Sequence, residues 1–390
     1  MGNKIGVHVS AGNRRGFGDS MKACADAGRP WPAVFSVDQD VWLDVQQFSP
    51  KTLVVFRHQP RIYGGKLYDG GLDAPPDTYR ADPVVVARNW MKVCIPVWRR
   101  NRANYYAPIN EQDAGTLAGY TWLNAFTLEC LRIARVEGFK LALYGFSAGN
   151  PRDDPAPLQL IKGVLARISG SASTITPGSA EEKLNELIPS LRAAKAGGDI
   201  LLLHEYGFGS PADHGGPATS LRASAPHLAL RYRRVYDFLR SRQADPDLLV
   251  SELSGGVGAF GGMHPQSWIA DLQWWNDEAN QDDFVIGGCA YQAGGSENLS
   301  PYFREFTISI VNHREPSPRI AWRNVCGFRI NIRREPSVKA AVVGQVPVGG
   351  DIKTLDQYVI SGDFTWWKVD DGLWVCSQTG DTTLLERANG

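Results

Sequence analysis

Ala103-Asn104-Tyr105-Tyr106-Ala107-Pro108-Ile109-Asn110-Glu111 and Leu248-Leu249-Val250-Ser251-Glu252 are two apolar runs, each closed by a glutamate. Both read as strands, being short and bounded by polar residues. Around them the chain alternates strand-like and helix-like segments, the pattern of a parallel sheet whose strands are each followed by a covering helix. Apolar runs of strand length fall at 4–10, 33–37, 52–56, 104–109, 140–145, 200–205, 248–252 and 284–291. Most are continuously apolar rather than alternating, as strands covered on both faces should be. Eight such units over residues 1–312 predict a (β/α)8 TIM barrel, with Glu111 and Glu252 at the strand ends that form its catalytic face.

Helical periodicity fills the intervals. Trp268, Leu272, Trp275 and Ala279 recur at i, i+4, i+7 and i+11, which predicts a helix burying one aromatic stripe against the barrel. Helices are also predicted over 117–137, 181–196 and 226–242. The stretch 58–82, rich in Gly, Pro and Tyr, is too long for a simple connection. On the catalytic face it would form a cleft wall carrying Tyr63, Tyr68 and Tyr79; 206–226 is a second such loop.

Composition narrows the function classes. The chain has 390 residues, 43% of them hydrophobic, with zero formal net charge. No run of Lys or Arg offers a phosphate-binding stripe, so nothing points to nucleic acid. No 18-residue apolar run predicts a membrane span. Met1-Gly2-Asn3-Lys4-Ile5 enters the first strand at once and leaves no room for a signal peptide. The expectation is therefore a leader already removed or another exit route, as for a phage lysin. The six cysteines form no Cys-x-x-Cys, so no metal site is expected. Cys326 and Cys376 could pair, which sequence alone leaves open. No Gly-x-Gly-x-x-Gly follows a strand, and no cofactor is called for. Gly145-Phe146-Ser147-Ala148-Gly149 matches a nucleophile elbow, but Asn150-Pro151 stands where its helix should begin.

Two carboxylates converging at one barrel mouth are the minimum equipment for cleaving a glycosidic bond. Pro108-Ile109-Asn110-Glu111 resembles the strand-four signature of the clan A retaining glycoside hydrolases. The resemblance implies that Glu111 is the general acid/base and that Asn110 hydrogen-bonds the substrate's 2-substituent. It implies that Glu252, ending the seventh strand, is the nucleophile. His204-Glu205-Tyr206-Gly207 resembles the His-x-Tyr motif at the end of the clan's sixth strand. There Tyr206 would hydrogen-bond the nucleophile, and His204 would contact the substrate or the acid. Two departures are visible. Ala290-Tyr291-Gln292-Ala293 lacks the Trp many members carry, with Tyr291 as its substitute. Glu205 is an extra carboxylate, a secondary candidate whose side chain should point opposite to His204 and Tyr206. His8 could line the cleft or sit in the core, and Arg57 and His58 are open in the same way.

Past residue 312 the pattern changes. Residues 313–324 read as a linker, and 325–390 as short strands with Gly, Pro and Asp turns, a small all-β barrel. Ile330-Asn331-Ile332-Arg333, Val342-Val343-Gly344-Gln345-Val346, Trp366-Trp367-Lys368-Val369 and Gly372-Leu373-Trp374-Val375 resemble a bacterial SH3 domain. That likeness implies binding to bacterial peptidoglycan, with Trp366 and Tyr358 as binding aromatics and Trp367 and Trp374 in the core.

The whole implies a retaining β-glycosidase acting on a polysaccharide outside the cell or at the cell wall, with peptidoglycan as the first substrate expectation. The Asp-x-Glu motif of the usual muramidase barrel cannot be placed. A β-glucan or mannan hydrolase and a non-catalytic wall-binding protein are the alternatives.

Overall fold

The computed structural model describes residues 2–10, 12, 14–37, 41–152, 179–207, 220–255, 264–294, 299–313, 320–354, 358–370 and 373–388. Two compact units divide the chain, Met1–His313 and Arg314–Gly390.

In the first unit eight parallel strands form one sheet: β1 (Ile5–Val9), β2 (Ala33–Val37), β3 (Leu53–Arg57), β4 (Tyr105–Ala107), β5 (Ala142–Phe146), β6 (Ile200–Tyr206), β7 (Leu248–Ser254) and β8 (Val285–Ala293). Their order is β4-β3-β2-β1-β8-β7-β6-β5, and a parallel bridge between Tyr106 and Leu141 joins the two ends. The sheet is thus the closed (β/α)8 barrel. All eight strands coincide with the apolar runs read from the sequence, because a strand buried on both sides carries its signal locally.

Side chains divide by strand face. Ala33, Phe35, Val55, Ala107, Ala142, Ile200, Leu202, Leu249 and Cys289 cluster with one another. These alternate along their strands with Val34, Val54, Tyr106, Leu143, Leu201, Leu203, Leu248 and Val250, which join the larger cluster shared with the helices. The first set is the barrel interior and the second the layer between barrel and helices. Trp268, Leu272, Trp275 and Ala279 are all buried on the helix Pro265–Ala279, as their spacing predicts. Truncating one such Trp to Ala would cost about 3–5 kcal/mol.

Two helices depart from expectation. The run 181–196 is two helices, Ala180–Glu186 and Ile188–Gly197, since Pro189 in the first turn of the second has no N–H to continue the first. In 226–242 the helix is Tyr232–Arg240, preceded by Leu230 at φ +57, a conformation that a helix cannot contain. Among the described residues no helix is long and apolar enough to cross a membrane.

Among the described residues, the regular elements of the second unit are all strands. Ile320–Asn324 is the centre of a three-stranded antiparallel sheet between Asp351–Thr354 and Leu385–Arg387. Those five residues therefore belong to this unit's sheet rather than to a linker; 314–319 lie outside the described residues. A larger sheet orders Val342–Val346, Ile330–Arg333, Leu373–Thr379, Phe364–Asp370 and Tyr358–Ser361, with Thr382–Thr383 on Leu373–Thr379. Trp322, Ile330, Val346, Trp366, Trp367, Val375 and Leu385 make its core. Trp366 is thus a core residue and not an exposed binding aromatic. Trp366 and Trp367 pair with Cys376 and Val375 in unbroken register, and both are buried although alternation sends them to opposite faces. Tyr358 is 57% exposed, and its ring lies 5.0 Å from that of Trp367. Cys326 and Cys376 form no disulfide with each other.

Candidate active site

Pro108 decides where Glu111 goes. It has no N–H for the ladder, so β4 stops at Ala107 and the chain turns across the barrel mouth. The Trp90 indole N–H donates to the Pro108 carbonyl at 2.6 Å and pins the turn. Asn110 N–H donates to the Asp73 carbonyl and Glu111 N–H to the Gly145 carbonyl, both at 2.9 Å. Glu111 is held at φ +51, a left-handed conformation unusual for a residue with a side chain and a recurrent sign of a functional position.

Glu252 reaches the site through a bulge. Leu248 and Val250 face the helices, so period-two alternation would send Glu252 there too. Instead Leu203 pairs with Val250 and His204 with Glu252, so β7 accommodates the extra residue Ser251. The side chain is thereby turned into the barrel beside His204.

The two glutamates meet around His204 and Tyr206. His204 Nδ1 donates to Glu111 Oε1 at 2.9 Å and lies 3.5 Å from Glu252 Oε2. The Tyr206 hydroxyl donates to Glu252 Oε2 at 2.6 Å. One oxygen of Glu111, His204 Nδ1 and one oxygen of Glu252 lie within 4.8 Å of one another. His8 Nε2 stands 3.8 Å and Arg57 Nη1 4.0 Å from Glu252 Oε1. The His8 ring stacks on Phe35 and tilts against Tyr291, whose ring also packs edge-on to Tyr206. The sequence-read residues Asn110, Glu111, His204, Tyr206, Glu252, Tyr291 and His8 are therefore brought to one end of the barrel.

Exposure and charge differ across the pair. The Glu252 side chain is 10% exposed and that of Glu111 44%. The His204 hydrogen bond holds the Glu111 carboxyl below its usual range, against the opposing effect of burial. Burial, and then the Glu252 charge, push the Tyr206 hydroxyl well above its ordinary range, so it stays a donor. Burial, with the charges of Arg57 and His204, pushes His8 well below its ordinary range, opposed by Gln292, and leaves it a neutral imidazole.

Glu205 is separate. It follows Leu201 and Leu203 to the helix side, where its Oε2 accepts the Trp275 indole N–H at 2.7 Å. It is 1% exposed, and burial pushes its carboxyl up to about 7. Its anomalous titration comes from desolvation alone and not from the site.

Arg57 and Asp73 are the residues that sequence reading undervalued. Arg57 ends β3 at the same face as the glutamates, which is the signal that could have promoted it. Asp73 sits in the loop 58–82 with no local motif. That loop also differs from its expected role. It carries a short hairpin, Ile62–Tyr63 with Lys66–Leu67. The Tyr63 ring packs on Trp90 and Tyr79 on Trp122, turned toward the helices, while Tyr68 is half-buried. Most of the second loop, 208–219, lies outside the described residues.

Glu111, His204 and Glu252 could each lend an atom to a divalent cation. Each already has an internal partner, and the Arg57 guanidinium stands beside Glu252. Carboxyl, imidazole and phenol are thereby hydrogen-bonded to one another.

No protein-family model and no curated protein matches the chain. Solved structures give distant likenesses. A family 5 xyloglucanase from Paenibacillus pabuli is 14% identical, with a TM-score of 0.41 over 79% of this chain and 97% of that one. A rice β-glucosidase is 9% identical, with a TM-score of 0.40 over 78% and 98%. A glycoside hydrolase family 5 enzyme from Prevotella bryantii, in complex with a xyloglucan oligosaccharide, is 12% identical, with a TM-score of 0.40 over 79% and 95%. At these values the likeness assigns neither activity nor substrate, and the site rests on its own geometry.

Proposed function

We propose that the barrel is a retaining β-glycoside hydrolase acting by double displacement, with Glu252 as nucleophile and Glu111 as acid/base. The observation that carries it is the pair of carboxylates within 4.8 Å, each with a different partner. Retaining sites hold their carboxyl groups about 5–5.5 Å apart, whereas inverting sites leave about 6.5–9.5 Å for a water.

In the first step a Glu252 oxygen attacks the anomeric carbon while a proton passes from Glu111 to the leaving oxygen. The Tyr206 hydrogen bond aims the attacking carboxylate. Glu111 delivers that proton from a carboxyl 2.9 Å from the His204 ring. In the second step Glu111 must accept a proton from water, and the His204 bond favours that ionised form. Asn110, buried at the mouth, would bind the sugar's 2-substituent.

The substrate we favour is bacterial peptidoglycan, met at the wall or outside the cell. What supports it is the likeness of 325–385 to wall-binding SH3 modules. A β-glucan or mannan is the second reading, favoured by the absence of the muramidase Asp-x-Glu motif. Released reducing ends from purified peptidoglycan and from a glucan, mannan and xylan panel separate them, with Glu252→Gln as control. Wall release lost in the variant supports the first reading, and release only from a plant or fungal polymer the second. No release from any polymer, with sugar binding retained, would leave a non-catalytic binding protein.

A further inference from the structure

Resting on that reading, we propose that Asp73 is a positioning residue that governs how closely Arg57 holds the Glu252 nucleophile. Arg57 ends β3 with its side chain only 7% exposed, and its guanidinium lies over the Phe35 ring. It is suspended between two carboxylates, Asp73 Oδ1 at 3.7 Å from Nη2 and Glu252 Oε1 at 4.0 Å from Nη1. Both separations exceed a hydrogen bond, and among the described residues neither Nε nor Nη1 has a hydrogen-bond partner. A buried guanidinium with donors to spare is drawn to whichever carboxylate is more negative and better placed.

Asp73 is fixed for this part. Gln59 Nε2 donates to the same Oδ1 at 2.7 Å, which holds the carboxylate on the solvent side of Arg57. The Asp73 carbonyl separately accepts the Asn110 N–H, so its backbone supports the segment leading to Glu111 and its side chain supports Arg57. The two roles can be parted by substitution.

Neutralising Asp73 removes a like charge near Glu252 and releases Arg57 to hydrogen-bond it. Both changes stabilise the ionised nucleophile and make it less basic. The other groups facing Glu252 stay in place: Tyr206 and His204 from β6, His8 from β1, Glu111 beyond β4, and Tyr291 of β8 packed on Tyr206 and His8.

The test is the pH profile of kcat/KM in the full chain for parent, Asp73→Asn and Asp73→Glu. Asp73→Asn keeps the backbone contact and should lower kcat/KM about tenfold, through kcat more than KM. Its acid limb should move down by about half a pH unit or more. Asp73→Glu, which keeps the charge, should bring the limb back toward the parent's. An acid limb that stays put in Asp73→Asn overturns the inference, whether or not activity falls. A loss of activity that Asp73→Glu does not relieve does the same, because it marks a structural role. Glu252→Gln run alongside separates the two levels. If that variant keeps full turnover, the glycosidase reading fails and takes this one with it.

Discussion

The Tyr206 hydroxyl stands 2.6 Å from Glu252 Oε2, a phenol donating to a carboxylate from the neighbouring strand in a buried setting. A hydrogen bond to a charged group of this kind contributes about 1.5–3 kcal/mol. Tyr206→Phe removes the donor with little change of shape. We expect kcat to fall about tenfold to a hundredfold with KM little altered, measured by initial rates on a chromogenic β-glycoside that the enzyme cleaves.

The two glutamates should answer differently to a small anion. Glu252→Ala should lose at least about a hundredfold in turnover, and azide should restore product of inverted configuration, because the anion fills the nucleophile's place. Glu111→Ala should give azide adducts of retained configuration. Product stereochemistry by NMR decides it. A loss of less than about tenfold in both variants would remove the assignment.

Gly145 tests the support of the mouth. Its φ is +58, its carbonyl accepts the Glu111 N–H, and a Cβ added there would stand 2.7 Å from Asn110 Oδ1. Asn110 is buried and cannot swing aside freely. Gly145→Ala should cost about 1–2 kcal/mol of stability from the left-handed backbone alone. By displacing Asn110 and Glu111 it should also lower kcat/KM about tenfold to a hundredfold. Thermal melts beside steady-state kinetics check both effects.

Glu205 makes a prediction of pH-dependent stability. Its folded-state value is raised to about 7 by burial, against about 4.3 in an unfolded chain. Its contribution to stability is therefore complete below about pH 4.3 and gone once the pH has risen through 7. Glu205→Gln cannot ionise, so it should match the parent near pH 4.5 and exceed it by about 1–3 kcal/mol near pH 8. Urea unfolding at the two pH values measures this. Turnover should persist, because the side chain faces Trp275 and not the cleft.

How much of this was legible beforehand depends on how local each signal is. Every barrel strand could be read, because a strand covered by helices must be apolar within its own few residues. Glu111, Asn110, His204, Tyr206 and Tyr291 could be found at strand ends, and the side on which Glu205 falls follows from period two along an unbroken strand. The sequence by itself therefore determined the strands, their order of occurrence and the residue types offered at the mouth. Only the tertiary structure decided which side chains meet there. Alternation within β7 would have sent Glu252 toward the helices with Leu248 and Val250, and the bulge at Ser251 that turns it inward exists only in its pairing with β6. Asp73 meets Arg57 across a loop with no periodicity. Register and loop closure depend on pairs of distant segments, and no single stretch of chain contains both members of such a pair.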